Sequence, residues 1–256
     1  MPSVPNHIHM HSFYINFIYE PLYNGFIFLA GHLPFLDVGV IIILFTILVK
    51  FILFPLSKKA ARTQIAMKLY EPELNALKEK YKDDKQAQAL QTMAFYKEKK
   101  LNPFSSIFLL FIQLPIFFAL YKIFHVSGIL AADPTSLYSF VAIPEVINMH
   151  FLGLIDVGAK SAVLAVLASI SQYFQIKLSI PASAPKTGKR GFQDDLAHNM
   201  QTQMKYVFPV LILFMSYNFG GALALYWTTS NLFMIAQEIV VKRQMVKGKK
   251  EAVLVK

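Results

Sequence analysis

Residues 38–57 read VGVIIILFTILVKFILFPLS. The stretch is twenty residues long, almost wholly apolar, and carries a single charge, Lys50. A bilayer core about 30 Å thick is crossed by roughly 20 helical residues, so the stretch is long enough to span. A lysine near the centre of such a helix costs roughly 2.5–3.5 kcal/mol on insertion-derived scales. A chain keeps one there when it faces water, a partner or a substrate, or when its amine snorkels to the interface. Snorkelling is open to Lys50, because Lys58 lies eight residues on, about 12 Å along a helix axis. The rest of the chain has to account for Lys50.

Hydrophobic residues make up 55% of the 256 and charged residues 16%, against roughly a quarter charged in soluble domains. The chain is therefore expected among integral membrane proteins. The absence of cysteine excludes disulfides, iron–sulfur clusters, thiolate zinc sites and a lipid-modified cysteine. The N-terminus has neither the basic region of a signal peptide nor the arginines of a transit peptide. Any cleaved leader is expected to have gone already or never to have existed. His7, His9 and His11 alternate in MPSVPNHIHMH, a weak metal-binding pattern set against a plain mobile tail. No cofactor is expected.

Residues 1–36 read as an external tail followed by an aromatic-rich interfacial helix over 12–32, broken by Glu20-Pro21. The first span is expected over 37–57, after Asp37. Residues 58–100 hold eleven of the 25 basic residues. Ile65, Leu69, Leu77 and Tyr81 fall there at helical spacing, and Leu90, Met93 and Phe95 begin a second run after Lys82-Asp83-Asp84. This predicts a charged helical hairpin in water rather than a simple loop. The second span covers 101–122, starting at Asn102-Pro103, and residues 123–157 read as an irregular external loop. The third span, 158–177, is rich in small residues (Ala162, Ala165, Ala168, Ser169, Ser171) that let helices approach closely.

Residues 178–204 read as a polar cytoplasmic loop. The next charge-free run, from Lys205 to Glu238, is divided by Gly220-Gly221. It yields a short fourth span over 205–218 and a fifth over 222–238, followed by a basic cytoplasmic tail over 239–256. Lys and Arg number eleven in 58–100, five in 177–205 and six in the tail; the first 37 residues have none. The positive-inside rule then predicts an all-α membrane protein with five spans, the N-terminus outside and the C-terminus cytoplasmic.

No enzyme signature survives this reading: there is no nucleotide-binding glycine loop, and no serine, histidine and acid fall together within the spans. The membrane-embedded polar set is sparse. Thr46 and Lys50 are four apart and share a helix face, with Ser57 seven further on. Gln113 stands in mid-span, and the fifth helix offers Tyr226, Trp227, Thr228, Thr229, Asn231 and Gln237. Threonines in helices commonly bond their own backbone, and Trp227 also fits an interfacial belt. Taken together, the set predicts a polar cavity with one positive charge. A small transporter or channel binding an anionic solute at Lys50 is the alternative, against which stand the lack of an internal repeat and the clustering of polar groups toward one leaflet.

Three stretches carry a family resemblance: VKFILFPLSKKAARTQIAMKLYEPEL (49–74), NPFSSIFLLFIQLPIFFALY (102–121) and FPVLILFMSYNFGGALALYWTTSNLFMIAQE (208–238). In these the chain resembles the YidC/Oxa/Alb family of membrane-protein insertases of bacterial plasma membranes. The resemblance runs from about residue 12 to 245. It implies a hydrophilic groove open to cytoplasm and lipid, containing one basic residue, usually arginine. Lysine stands at the matching position here, keeping the point charge without the bidentate fork. Gln113 and Trp227 match polar or aromatic groove positions; Thr46, Thr228 and Thr229 lie nearby. The resemblance implies nascent membrane-protein clients with acidic leaders. It further implies that the 58–100 hairpin and basic tail meet targeting factors or the ribosome, and that a secretory channel is a further partner. For the tail, an anchor on anionic lipid is the simpler alternative. The chain is also expected to stand without the large external domain and extra N-terminal span of some bacterial relatives.

Overall fold

Asp37 starts the first long apolar helix. Its side chain accepts from Val40 N at 2.9 Å, capping α2 (Val38–Ile52). The helix does not run to residue 57 as the hydropathy predicts. Pro55 has no N–H to donate to Phe51 O, so the ladder stops with Leu53 N donating to Val49 O. The chain turns by 71° and resumes as α3 (Phe54–Lys80) with Pro55 in its first turn.

The computed structural model describes residues 12–102, 105–126, 134–179 and 192–254. The His7, His9 and His11 pattern lies outside them, as do Pro103 and most of the 178–191 segment. The described chain is dominated by helix. A π-helical turn, Ile15–Tyr19, leads into α1 (Glu20–His32); Glu20-Pro21 does not break the run, because Pro21 sits in α1's first turn. After α3 come α4 (Lys85–Glu98), α5 (Ser105–Tyr121) continued by a π turn Lys122–Val126, α6 (Ala162–Ser179), α7 (Phe192–Phe219) and α8 (Gly221–Leu254). Between α5 and α6, where the sequence reads as irregular, β1 (His150–Phe151) pairs antiparallel with β2 (Ile155–Asp156).

Helices α3 and α4 fold back on each other. Gln88 Nε2 donates to Lys78 O at 2.6 Å, Tyr70 and Phe95 meet edge to face, and Lys99 Nζ lies 3.4 Å from Glu73. These pairings hold their summed positions nearly constant, which is the mark of antiparallel helices. Asp84 caps α4 by accepting from Gln86 N and Ala87 N.

Two expected boundaries are corrected. The polar segment up to 204 reads as loop, yet α7 already begins at Phe192, so 192–204 is helix. Polarity was mistaken there for irregularity. Likewise the basic tail is the continuation of α8, not a separate segment. Gly220, with φ of 94°, makes the break between α7 and α8.

The main core joins Tyr19, Tyr23, Phe26 and Ile27 around α1 to Ile41, Ile42 and Phe45 of α2, Leu120 and Ile123 of α5, and Leu223 and Tyr226 of α8. Small residues do what their spacing predicts: Ala165 and Ala168 of α6 are fully buried, and α6 packs along α7 and α8. The outer faces are apolar. Leu48, Phe51 and Ile52 on α2, Val163, Ile170 and Phe174 on α6, and Val207, Val210 and Phe214 on α7 are all exposed. A soluble protein rarely leaves so many large apolar side chains uncovered. By length and composition, α6 is the described helix able to cross a bilayer alone, and α2 with α3 qualifies as a bent pair.

Candidate functional site

Lys50 is only 8% exposed. It projects from the last turn of α2, one turn beyond Thr46, and its ammonium donates to Gln113 Oε1 of α5 at 3.2 Å. Among the described residues no carboxylate lies within ion-pair distance of it. Gln113 in turn donates through Nε2 to the hydroxyl of Tyr226 on α8, which also hydrogen-bonds Ser230 one turn on. Thus α2, α5 and α8 meet in one polar line, Lys50–Gln113–Tyr226.

The remaining sequence candidates behave differently. Thr46, though buried, donates to its own helix at Ile42 O, 2.6 Å away. Thr228 and Thr229 bond Ala224 O and Leu225 O at 2.8 and 2.9 Å. These are the back-bonds that helical threonines ordinarily make, and none of the three hydroxyls reaches Lys50. Trp227 follows Tyr226 directly, so its side chain leaves α8 about 100° round the helix. Its ring meets Phe117 edge on, and its Nε1 donates to Gln172 Oε1 of α6 at 2.9 Å.

Gln172 escaped the sequence reading, and it opens a second polar line. Gln172 Nε2 donates to Gln175 Oε1 at 3.1 Å, Gln175 Nε2 to Ser179 Oγ at 3.0 Å, and Ser179 Oγ to Glu238 Oε2 at 2.6 Å. Lys68 Nζ of α3 closes the line, 3.6 Å from Glu238 Oε1. Asn231 donates to Ser171 Oγ at 3.1 Å beside it, and Ser57 donates to Gln237 Oε1 at 2.9 Å. The signal for Gln172 was available: it continues the buried spacing of Ala165 and Ala168 along α6. Tyr226 belonged to the polar inventory of the fifth helix but offered no sign that it pairs with Gln113.

Burial shapes the charges outside the apolar segments too. Lys68 is held below the ordinary lysine value, first by desolvation, while the nearby Glu238 carboxylate pulls it back up. The pair therefore does not fully offset the cost of burying the ammonium. Chemically, the Lys50 site offers a cation bonded to the neutral amide of Gln113, with the Tyr226 phenol beyond it. It can attract an anion; it is not arranged to break a bond.

The family model described as 60Kd inner membrane protein matches residues 29–250. The chain is 34% identical over 206 residues to a protein of Fusobacterium nucleatum named membrane protein insertase YidC, covering 80% of this chain and 86% of that one. Proteins of the same name from Brucella suis and Francisella tularensis subsp. novicida are 29% and 35% identical over 223 and 205 residues. This chain spans 33% and 32% of their lengths. A match running from α1 to near the end of α8, across every helix that carries the two polar lines, means that the chain belongs to the 60Kd inner membrane protein family.

Proposed function

We propose that this bacterial inner-membrane protein is a membrane-protein insertase that receives nascent clients in a polar groove and releases their apolar segments into lipid. The names of its relatives support the insertase reading. The observation that carries the mechanism is Lys50, a buried cation whose bonded partner is a neutral amide. A charge already neutralised by a carboxylate would have little left for a client. Lys50 keeps its attraction for an acidic residue arriving from water, roughly 4 kcal/mol at contact before desolvation is subtracted.

The groove residues of this reading are Lys50, Gln113 and Trp227, with Thr46, Thr228 and Thr229 on the same helices and Tyr226 added by its bond to Gln113. A client's acidic leader is drawn to Lys50 while its apolar segment partitions into lipid beside the bundle. The leader is then released outward, aided by about 2.3 kcal/mol per acidic charge per 100 mV of membrane potential. On this reading the chain has five spans, and the α3–α4 pair and the basic end of α8 face the cytoplasm, where ribosome, targeting factors or a secretory channel would meet them. Chemistry of this kind needs no cofactor.

Reconstitution tests it. Purified protein in liposomes is offered a small single-span client with an acidic leader, and protease protection of the client is measured. Protection is expected with the native chain, kept in Lys50→Arg and lost in Lys50→Glu. Full protection with Lys50→Glu would overturn the electrostatic mechanism. Equal protection in empty liposomes would overturn the insertase reading and turn attention to solute flux at Lys50.

A further inference from the structure

The β1–β2 hairpin is fixed against the start of α2. Val38 N donates to Asn148 O at 2.8 Å, and Asp37 Oδ2 accepts from Leu152 N at 3.1 Å. The Phe151 ring lies on Gly39 so closely that a Cβ there would come within 2.3 Å of it. The same segment holds the first turn of α8, through Gly221 N to Ala159 O at 2.9 Å and Ala222 N to Val157 O at 2.8 Å. The hairpin is thus pinned to two helix starts. Its turn is level with the first residues of the 38–52 apolar run, where lipid-facing helix surface begins.

At that depth the hairpin is divided by polarity. Its base pairs His150 with Asp156, and its tip, FLGLI over 151–155, has no charge. Leu152 is 65% and Leu154 83% exposed, with Phe35, just before α2, exposed as well. Leu152 and Gly153 adopt φ of 52° and 72°, and the turn closes through Gly153 N to His150 O and Leu154 N to Phe151 O. Glycine and asparagine take such angles with least strain, and turns facing water favour them. Here a leucine accepts the strain and a second leucine stands bare beside it. Val163, at the start of α6, is exposed too.

We propose that the Phe151–Ile155 tip is a lipid-anchoring surface, with Leu152 and Leu154 seated among acyl chains at the edge of the bilayer where α2 begins. This rests on the reading of α2 as membrane-crossing, so the test must separate the two. Lipid is the occupant that fits the depth: an uncharged pair of side chains at the height where the helices become apolar is already at the acyl boundary.

The chain has no cysteine, so single nitroxide labels can be placed without background. Leu154→Cys is compared in liposomes with Leu48→Cys on the exposed face of α2 and with Glu145→Cys on the charged part of the same loop. Collision with oxygen, which concentrates in lipid, is expected to exceed collision with a water-soluble nickel chelate at 154 and 48, and the reverse at 145. A label at 154 that reads water while 48 reads lipid would overturn the anchor and leave the membrane reading standing. Water at both positions would overturn the membrane crossing of α2, and the anchor with it. Exclusion of both reagents at 154, with spectral broadening that disappears on dilution with unlabelled protein, would assign the tip to a second copy instead.

Discussion

Gln113 is held from both ends, its oxygen by Lys50 and its amide nitrogen by Tyr226. Gln113→Leu therefore strands the buried Lys50 ammonium and leaves the buried Tyr226 phenol with Ser230 as its partner. The expected cost is about 1–3 kcal/mol, read as a lower unfolding temperature in detergent. Thr46→Val is the contrast. The lost hydroxyl bonded Ile42 O, which still accepts the helix's own N–H, so about 0.5 kcal/mol or less is expected. If the two substitutions cost the same, Gln113 is not the bridge described. Lys50 and Gln113 were legible because a charge and an amide stand out in apolar runs. Their bond to each other was not, since nothing in helical periodicity pairs residues 63 positions apart. Tyr226 stood in the polar set of the fifth span, and only the packing of α5 against α8 reveals Gln113 as its partner.

Elements were legible where a residue imposes a physical stop, Asp37 as a cap and Gly220 with its positive φ, whereas the stop at Pro55 was missed because the apolar run continues through it. They were misread where composition stood in for conformation, as over 192–204, because polar residues build solvated helices as readily as loops. The ion pair between α3 and α8 shows what docks two elements without much stabilising them. Lys68→Met leaves the Glu238 carboxylate, buried beside Ser179, without its cation. The expected loss is about 1–2 kcal/mol, below the value for fully buried pairs because Lys68 is partly exposed. Adding Glu238→Gln should bring stability back to within about 1 kcal/mol of the native chain, a cycle read by denaturant unfolding. A pH series checks the sign. Lys68 is depressed below 10.5 in the folded protein, so it sheds its proton there before the unfolded chain does. Its contribution to stability rises with pH in the window just below 10.5, and Lys68→Met abolishes that slope. Between α2 and the β-hairpin the contact is steric instead. Gly39→Ala drives a Cβ to 2.3 Å from Phe151 Cδ2, at an expected cost of about 1–3 kcal/mol that Phe151→Ala relieves in the same chain.

For the whole molecule, the order of apolar and basic segments could be read along the chain, but not which helices touch. That α8 lies against α2, α3, α6 and α7 follows from packing small residues on long-range neighbours, which no local pattern encodes. Orientation is the property that the chain's charge distribution addresses most directly. Basic residues crowd 58–100, with eleven, and the end of the chain after 239, with six, whereas the 123–160 segment has Lys160 alone. Each Lys or Arg near a membrane end biases its segment to the cytoplasmic side, and the biases act together when they fall on one face. Asp83, in the turn between α3 and α4, and Glu145, in the segment before the β-hairpin, are both exposed, and the proposed topology would put them on opposite sides of the bilayer. With each replaced in turn by cysteine, a membrane-impermeant maleimide on intact spheroplasts is expected to modify position 145. Position 83 should react only after lysis. The opposite pattern would invert the protein, taking the α3–α4 pair away from the compartment where clients are made. Reaction at both positions in intact cells would put the two segments on the same side, which the proposed path from 83 to 145 forbids, since it crosses the bilayer once, through α5.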